Sequence, residues 1–246
     1  MRKLELLAPA GSQECLEAAV LYGADAVYLG GKQFGLRMGA DNFSLDAMEK
    51  AVEFAHSWGV KVYVTVNIFA HNRDIRSLPR YLKFLDYIKV DGILVSDLGV
   101  FSLARREVPN LPIHISTQAN ITNREAAAFW ERRGAERLVM ARELSLWEIR
   151  EIAGAVSIEL EAFVHGAMCM SYSGRCLLSN MLTGRSANQG DCSQPCSWKY
   201  ALEEEKRPGE YFPVFEDEQG SYILNSKDIC LLEHLPELAV AGVTSF

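Results

Sequence analysis

Lys61-Val62-Tyr63-Val64-Thr65-Val66-Asn67 is the stretch on which the fold turns. It is β-branched and aromatic, apolar along most of its length, and closed by a polar residue. A strand that does not alternate apolar with polar residues is buried on both faces, the habit of a parallel sheet wrapped in helices. Comparable runs stand at 4–8, 26–30, 92–96, 113–117, 137–141, 158–164 and 243–246.

Amphipathic stretches separate them, at 12–22, 45–58, 75–90, 98–107, 123–133 and 145–153. Ser12, Ser44, Asn123 and Ser145 stand where a side-chain oxygen caps a following helix. Gly23, Gly59 and Gly134 fall just past helix ends, where the left-handed conformation is cheapest for glycine. Eight strands with seven intervening segments in 246 residues match a (β/α)8 barrel, which typically takes about 250. The competing architecture is an open doubly wound sheet. No Gly-x-Gly-x-x-Gly follows the first strand, so its dinucleotide-binding form loses support.

Two irregularities mark this TIM-like α/β barrel. A long Cys-containing insertion, 165–222, follows the seventh strand on the face where such barrels place their chemistry. The eighth strand has no eighth helix after it. The expectation is one domain over 1–246, incomplete at the eighth helix. Either the chain is a fragment, or a protein partner or second copy covers the open wall.

Composition is that of an ordinary globular chain, 49% hydrophobic and 23% charged. A net charge of −7 argues against a broadly basic nucleic-acid surface, though not against an RNA held by a local patch. The stripes Arg73, Arg76, Arg80, Lys83 and Arg132, Arg133, Arg137 read as solvated helix faces. No apolar stretch is long enough to span a membrane, and Glu5 and Pro9 interrupt the N-terminal run that a secretion signal would need. The expected address is cytoplasmic, where thiols stay reduced.

Strand C-terminal ends bring Asn67, Asp97, Gln118, Arg142 and His165 toward one mouth. In the loop after the second strand, Arg37 has the fork that grips a carboxylate or phosphate. Glu161 lies in a strand buried on both faces and must pair, with Arg142 the expected partner.

Five of the six cysteines lie between 169 and 230, spaced Cys169-x6-Cys176-x15-Cys192-x3-Cys196-x33-Cys230. Thiolates choose soft partners: an iron–sulfur cluster, zinc or cuprous copper. The spacing is not the two-residue one of zinc ribbons or bacterial ferredoxins, so cluster, zinc and unliganded thiols all stay open. No Gly-x-Ser-x-Gly elbow and no His-Glu-x-x-His helix supports a serine or zinc protease.

Glu161, Phe163, Gly166, Ala167, Met168, Cys169, Gly174, Cys176, Leu178 and Ser179 follow a recognisable pattern. It resembles the signature of the collagenase-like peptidase family, number thirty-two of the peptidases of unknown catalytic type (peptidase family U-32). Leu6-Leu-Ala-Pro-Ala-Gly11, Asp25-Ala-Val-Tyr-Leu-Gly30, Ser116-Thr-Gln118 and Asn225-Ser-Lys-Asp228 look like it too, so the resemblance spans the chain. It implies a further C-terminal region. Better-understood members are similar in being oxygen-independent hydroxylation proteins for transfer RNA uridine, ribosomal RNA cytidine or the ubiquinone ring. They carry a cysteine-bound [4Fe–4S] cluster, and several depend on prephenate. The tract from Cys192 looks most like the transfer-RNA 5-hydroxyuridine branch.

The resemblance therefore implies an RNA-modifying hydroxylase with Cys169, Cys176, Cys192 and Cys230 as cluster ligands and Cys196 as the spare. Glu161, Arg142 and His165 are the candidate catalytic groups. Arg37, Asn67 and Gln118 are the candidate contacts to the base or to an anionic co-substrate such as prephenate. A collagenase-like peptidase and a non-catalytic zinc-binding subunit are the rival readings.

Overall fold

The computed structural model describes residues 4–36, 41–167, 169, 171–198, 202–203, 205–206, 208–209, 211–212, 216–217, 220–221 and 228–246. Seven strands form one parallel sheet in chain order: β1 Leu7–Pro9, β2 Ala26–Gly30, β3 Lys61–Val66, β4 Gly92–Val95, β5 Ile113–Ile115, β6 Arg137–Val139 and β7 Glu159–Glu161. Most strands are shorter than the sequence runs, and past β3, β4 and β5 the polar residues Asn67, Ser96 and Ser116 leave the ladder.

The sheet curls until its two edges almost meet. Ser245 forms parallel bridges to Glu161 at the end of β7 and to Glu5 just before β1. Glu5 N–H donates to the Thr244 carbonyl at 2.8 Å, Leu7 N–H to that of Phe246 at 2.8 Å, and Ala162 N–H to that of Ser245 at 3.1 Å. The expected eighth strand is thus a bridge on each side rather than a ladder. Gly242, at φ +110°, swings the chain into the seam so that one residue alone is in register with both neighbours. The architecture is an incomplete (β/α)8 barrel.

Helices α1 Gln13–Leu21, α2 Leu45–Ser57, α3 Asn72–Tyr87, α4 Leu98–Glu107, α5 Arg124–Arg132 and α6 Leu146–Ala153 alternate with the strands. Ser12, Ser44, Asn123 and Ser145 each accept a backbone N–H at their helix starts, as expected. α3 begins earlier than its apolar period predicts. Its start is fixed by Asp74, whose carboxylate accepts the His71 N–H at 2.8 Å. Helices α7 Leu178–Thr183 and α8 Leu235–Ala241 follow, and α8 packs on α6.

Leu16, Met48, Leu78, Leu82, Leu85 and Ile113 are fully buried in the core around the sheet. Each such side chain contributes about 1.5–3 kcal/mol on leaving water. Inside the barrel, Ala26, Tyr63, Leu94 and Val139 form a smaller layer.

Candidate functional site

The C-terminal ends of β3, β4 and β5 carry a connected set of neutral polar groups. Asn67, just past β3, is buried; its Nδ2 donates to Gln118 Oε1 at 3.3 Å and to Ser116 Oγ at 3.4 Å. Ser116 Oγ also donates to Gln118 Oε1. The Asn67 Oδ1 accepts from Leu36 N–H at 3.1 Å, tying the loop after β2 to this floor. Ser96, past β4, donates to the Asn67 carbonyl at 2.9 Å. The expected pair Asn67 and Gln118 therefore meets, with Ser116 bonded to both.

Asn120 completes the floor. It follows a short turn, Thr117–Ala119, in the left-handed region at φ 53°, which asparagine tolerates better than most residues. Its Nδ2 donates to the Gln118 carbonyl at 2.8 Å and to the Ser173 carbonyl at 3.2 Å. Its buried Oδ1 has no partner among the described residues. Asp97, placed at the mouth by the sequence reading, caps α4 instead through Gly99 and Val100 N–H.

The segment after β7 lies over this floor. Arg142, past β6, donates through one terminal nitrogen to the Ala167 carbonyl at 2.9 Å and through the other to Ser173 Oγ at 2.6 Å. Its guanidinium also stands 5.6 Å from the Phe163 ring centre, and Arg175 stands 5.3 Å over Phe69. Further along, Phe69 N–H reaches the Asn188 carbonyl at 3.1 Å and Arg73 reaches Gln189 Oε1 at 2.9 Å. A pocket of about 200 Å³ beside the rim is walled by Met140, Leu144, Phe163, Leu231 and Leu238, with Arg142 at its edge. Arg37 lies outside the described residues.

The three candidate catalytic groups do not converge. His165 is exposed, in a two-residue strand whose antiparallel partner is Ile229–Cys230, with His165 opposite Cys230. Arg142 holds the rim loop. Glu161 points into the barrel, where its ion partner is Arg137 at 3.3 Å rather than the expected Arg142. The reason is register. Arg137 heads β6 and pairs with Glu159, putting its long side chain in the interior beneath Glu161.

Arg137 also corrects the solvated-stripe reading, being 3% exposed. It bonds Glu5 at 2.6 Å, Glu159 at 2.6 Å and Ser245 at 3.3 Å, and its guanidinium lies 5.1 Å over the Tyr63 ring. A charged residue at the head of the apolar run 137–141 was the available signal. Burial works against ionisation of Glu5, yet Arg137, Tyr63 and Ser245 together hold its carboxyl below the ordinary range. For Glu161 burial prevails over Arg137 and pushes it up to about 7. His114 on β5 is driven well below the usual imidazole value by burial and by the charges of Arg137 and Lys61.

The expected thiol ligands stand on separate pieces of the covering segment. Cys169, Cys192 and Cys230 are exposed and Cys176 is half-buried; none is in a disulfide. Gln194 N–H donates to the Cys192 sulfur at 3.4 Å. Soft thiolates suit iron or zinc by type. Among the described residues, however, no three His, Cys, Asp or Glu side chains gather as a metal cage.

The sequence model of peptidase family U32 matches residues 11–246. The chain belongs to peptidase family U32. Its relatives include the tRNA hydroxylation protein P1 of Bacillus subtilis (strain 168), 46% identical over 244 residues, covering 99% of this chain and 58% of that protein. The 23S rRNA 5-hydroxycytidine C2501 synthase of Escherichia coli (strain K12) is 40% identical over 250 residues, covering 99% of this chain and 36% of that one. This U32 chain thus spans little more than half, or about a third, of the curated relatives named. The solved U32 peptidase Mk0906 superposes with a TM-score of 0.59 at 21% identity, over 68% of this chain and 71% of that structure. That likeness concerns the fold.

Proposed function

We propose that this barrel serves the oxygen-independent hydroxylation of an RNA base, with the wobble uridine of a transfer RNA as the target. The carrying observation is the 46% identity to a tRNA hydroxylation protein along nearly the whole chain. The floor of the mouth supports it. Asn67 is engaged at both ends and orders Gln118, while Asn120 Oδ1 has no partner among the described residues. Amides of this kind carry the donors and acceptors that a base edge matches. A base taken out of its stack is read by such hydrogen bonds and by flanking aromatic rings, here Phe69 and Phe163. A neutral floor suits a neutral base. The matching address is the cytoplasm, where transfer RNA is found.

A small anionic co-substrate such as prephenate would meet the cations of the rim. Arg175 is exposed there, whereas both terminal nitrogens of Arg142 are already engaged. The cofactor proposal rests on donor chemistry alone: Cys169, Cys176, Cys192 and Cys230 would hold a [4Fe–4S] cluster, with zinc the alternative. When bound, a cluster supplies electron transfer or a site for oxygen-bearing groups. The derivable roles of the chain are to read the base, order the rim and exclude water.

The test is nucleoside mass spectrometry on RNA from cells lacking the gene, with and without the gene restored. Loss and recovery of 5-hydroxyuridine-derived nucleosides in transfer RNA supports the reading; an unchanged profile overturns it. Gelatin cleavage by homogeneous protein would instead favour the peptidase suggested by the family name.

A further inference from the structure

Ser173 is 5% exposed, in a loop whose neighbours Tyr172 and Arg175 are exposed. A buried hydroxyl in an exposed loop needs a reason, and the contacts supply one. Its Oγ accepts from Arg142 at 2.6 Å and its carbonyl accepts from Asn120 at 3.2 Å. The other terminal nitrogen of the same guanidinium holds the Ala167 carbonyl at 2.9 Å. One planar fork thus grips the loop at 167 and at 173, on either side of Cys169. Gly174, at φ +72°, then lies flat on the floor, where a Cβ would come 3.0 Å from Gln118 Cβ. A side chain at 174 would be strained at this φ and would crowd Gln118.

We propose that Arg142 and Ser173 form a clamp that seats the thiol-bearing loop on the ends of β5 and β6, making Ser173 a positioning residue for Cys169 and Cys176. The clamp rests on the reading of this mouth as the working site, though not on which substrate enters it. A guanidinium suits the task because it offers two N–H directions fixed relative to each other. A lysine keeps the charge and cannot hold both acceptors in that geometry. The rim arginine read from the sequence as a candidate catalytic group is, on this view, occupied in holding the loop.

The experiment uses the 246-residue chain without RNA or metal, so it stands or falls separately from the hydroxylation reading. Hydrogen exchange of the peptide covering 167–176 is followed together with iodoacetamide alkylation of Cys176, with exposed Cys15 on α1 as internal reference. Ser173→Ala and Arg142→Lys should each raise exchange in 167–176 and labelling of Cys176 about tenfold, the loss of one charge-assisted bond. Cys15 labelling and exchange in β3 should not change. Ser173→Thr, which keeps the hydroxyl, should stay within about twofold of the parent. Unchanged exchange in both variants overturns the clamp. So does a rise shared equally by β3, which would report lost global stability instead.

Discussion

The Arg137 guanidinium meets the Glu5 carboxylate at 2.6 Å across 132 positions of sequence. It ties β6 to the residue that precedes β1. Ser245, in the seam between β7 and β1, donates to the same Glu5 oxygen at 2.9 Å and accepts from Arg137 at 3.3 Å. The seam of the barrel is therefore pinned from inside as well as by its backbone bridges.

Arg137→Met leaves Glu161 buried without its cation and Glu5 with Lys61 alone, at 3.9 Å. Breaking a buried ion network from one side costs about 3–5 kcal/mol. Urea unfolding should show that loss, whereas Arg106→Met, on the exposed Arg106–Glu107 pair, should change stability by less than about 1 kcal/mol. Equal effects of the two substitutions would remove the pinning role.

Glu161 sets a pH dependence whose sign follows from its raised value of about 7. The folded protein keeps a proton that the unfolded chain has released above the ordinary carboxylate range. Stability from this group is full below about pH 4.5 and declines as pH rises toward 7. His114 acts at the acid end in the opposite sense, since the folded state refuses a proton that the unfolded chain accepts below 6.5. Glu161→Gln removes the first effect only. Its stability relative to the parent should therefore improve between pH 5 and pH 8, by on the order of 3 kcal/mol. A constant offset across thermal melts in that range would contradict the assignment.

Gln118 lies half-buried at the mouth and touches Asn67 and Ser116. Gln118→Ala should lower the hydroxylated nucleoside formed per unit protein about 10- to 100-fold, the usual effect of losing one or two substrate hydrogen bonds. Losing the acceptor of Ser116 should cost about 1–3 kcal/mol of stability, so activity is compared at a temperature where the variant stays folded. An active variant would take Gln118 out of base recognition.

For the cysteines, protein purified without air provides the measurement. Serine at Cys169, Cys176, Cys192 or Cys230 should each cut bound iron and sulfide to less than half, with serine at Cys15 neutral. Serine at Cys196 should also be neutral if it is the spare. Full iron in all four ligand variants would sink the cluster assignment, and stoichiometric zinc without iron would favour the alternative.

Much of the fold is legible in the residues. The apolar runs, the four side-chain caps and the glycines at 23, 59 and 134, with φ of +90°, +74° and +90°, fall where local chemistry places them. These are short-range properties, settled by steric preference and by the hydrogen bonds of one helical turn. Asn67 and Gln118 were also readable, because strand ends of a parallel barrel face one mouth. The partner of Glu161 was not. Arg137 and Arg142 are five residues apart, and either could have served on sequence grounds.

Register between β6 and β7 sends Arg137 into the interior and leaves Arg142 on the rim, a choice that pairing across the sheet makes and local preference does not. The same holds for Ser173, an unremarked serine in its own sequence. It becomes buried only because Arg142, Asn120 and Gln118, brought together from the ends of β5 and β6, leave room for it. Residue types and their periods determined the barrel and the chemistry on offer. Long-range register decided which of those groups meet, because a contact between distant strands depends on how the whole sheet closes.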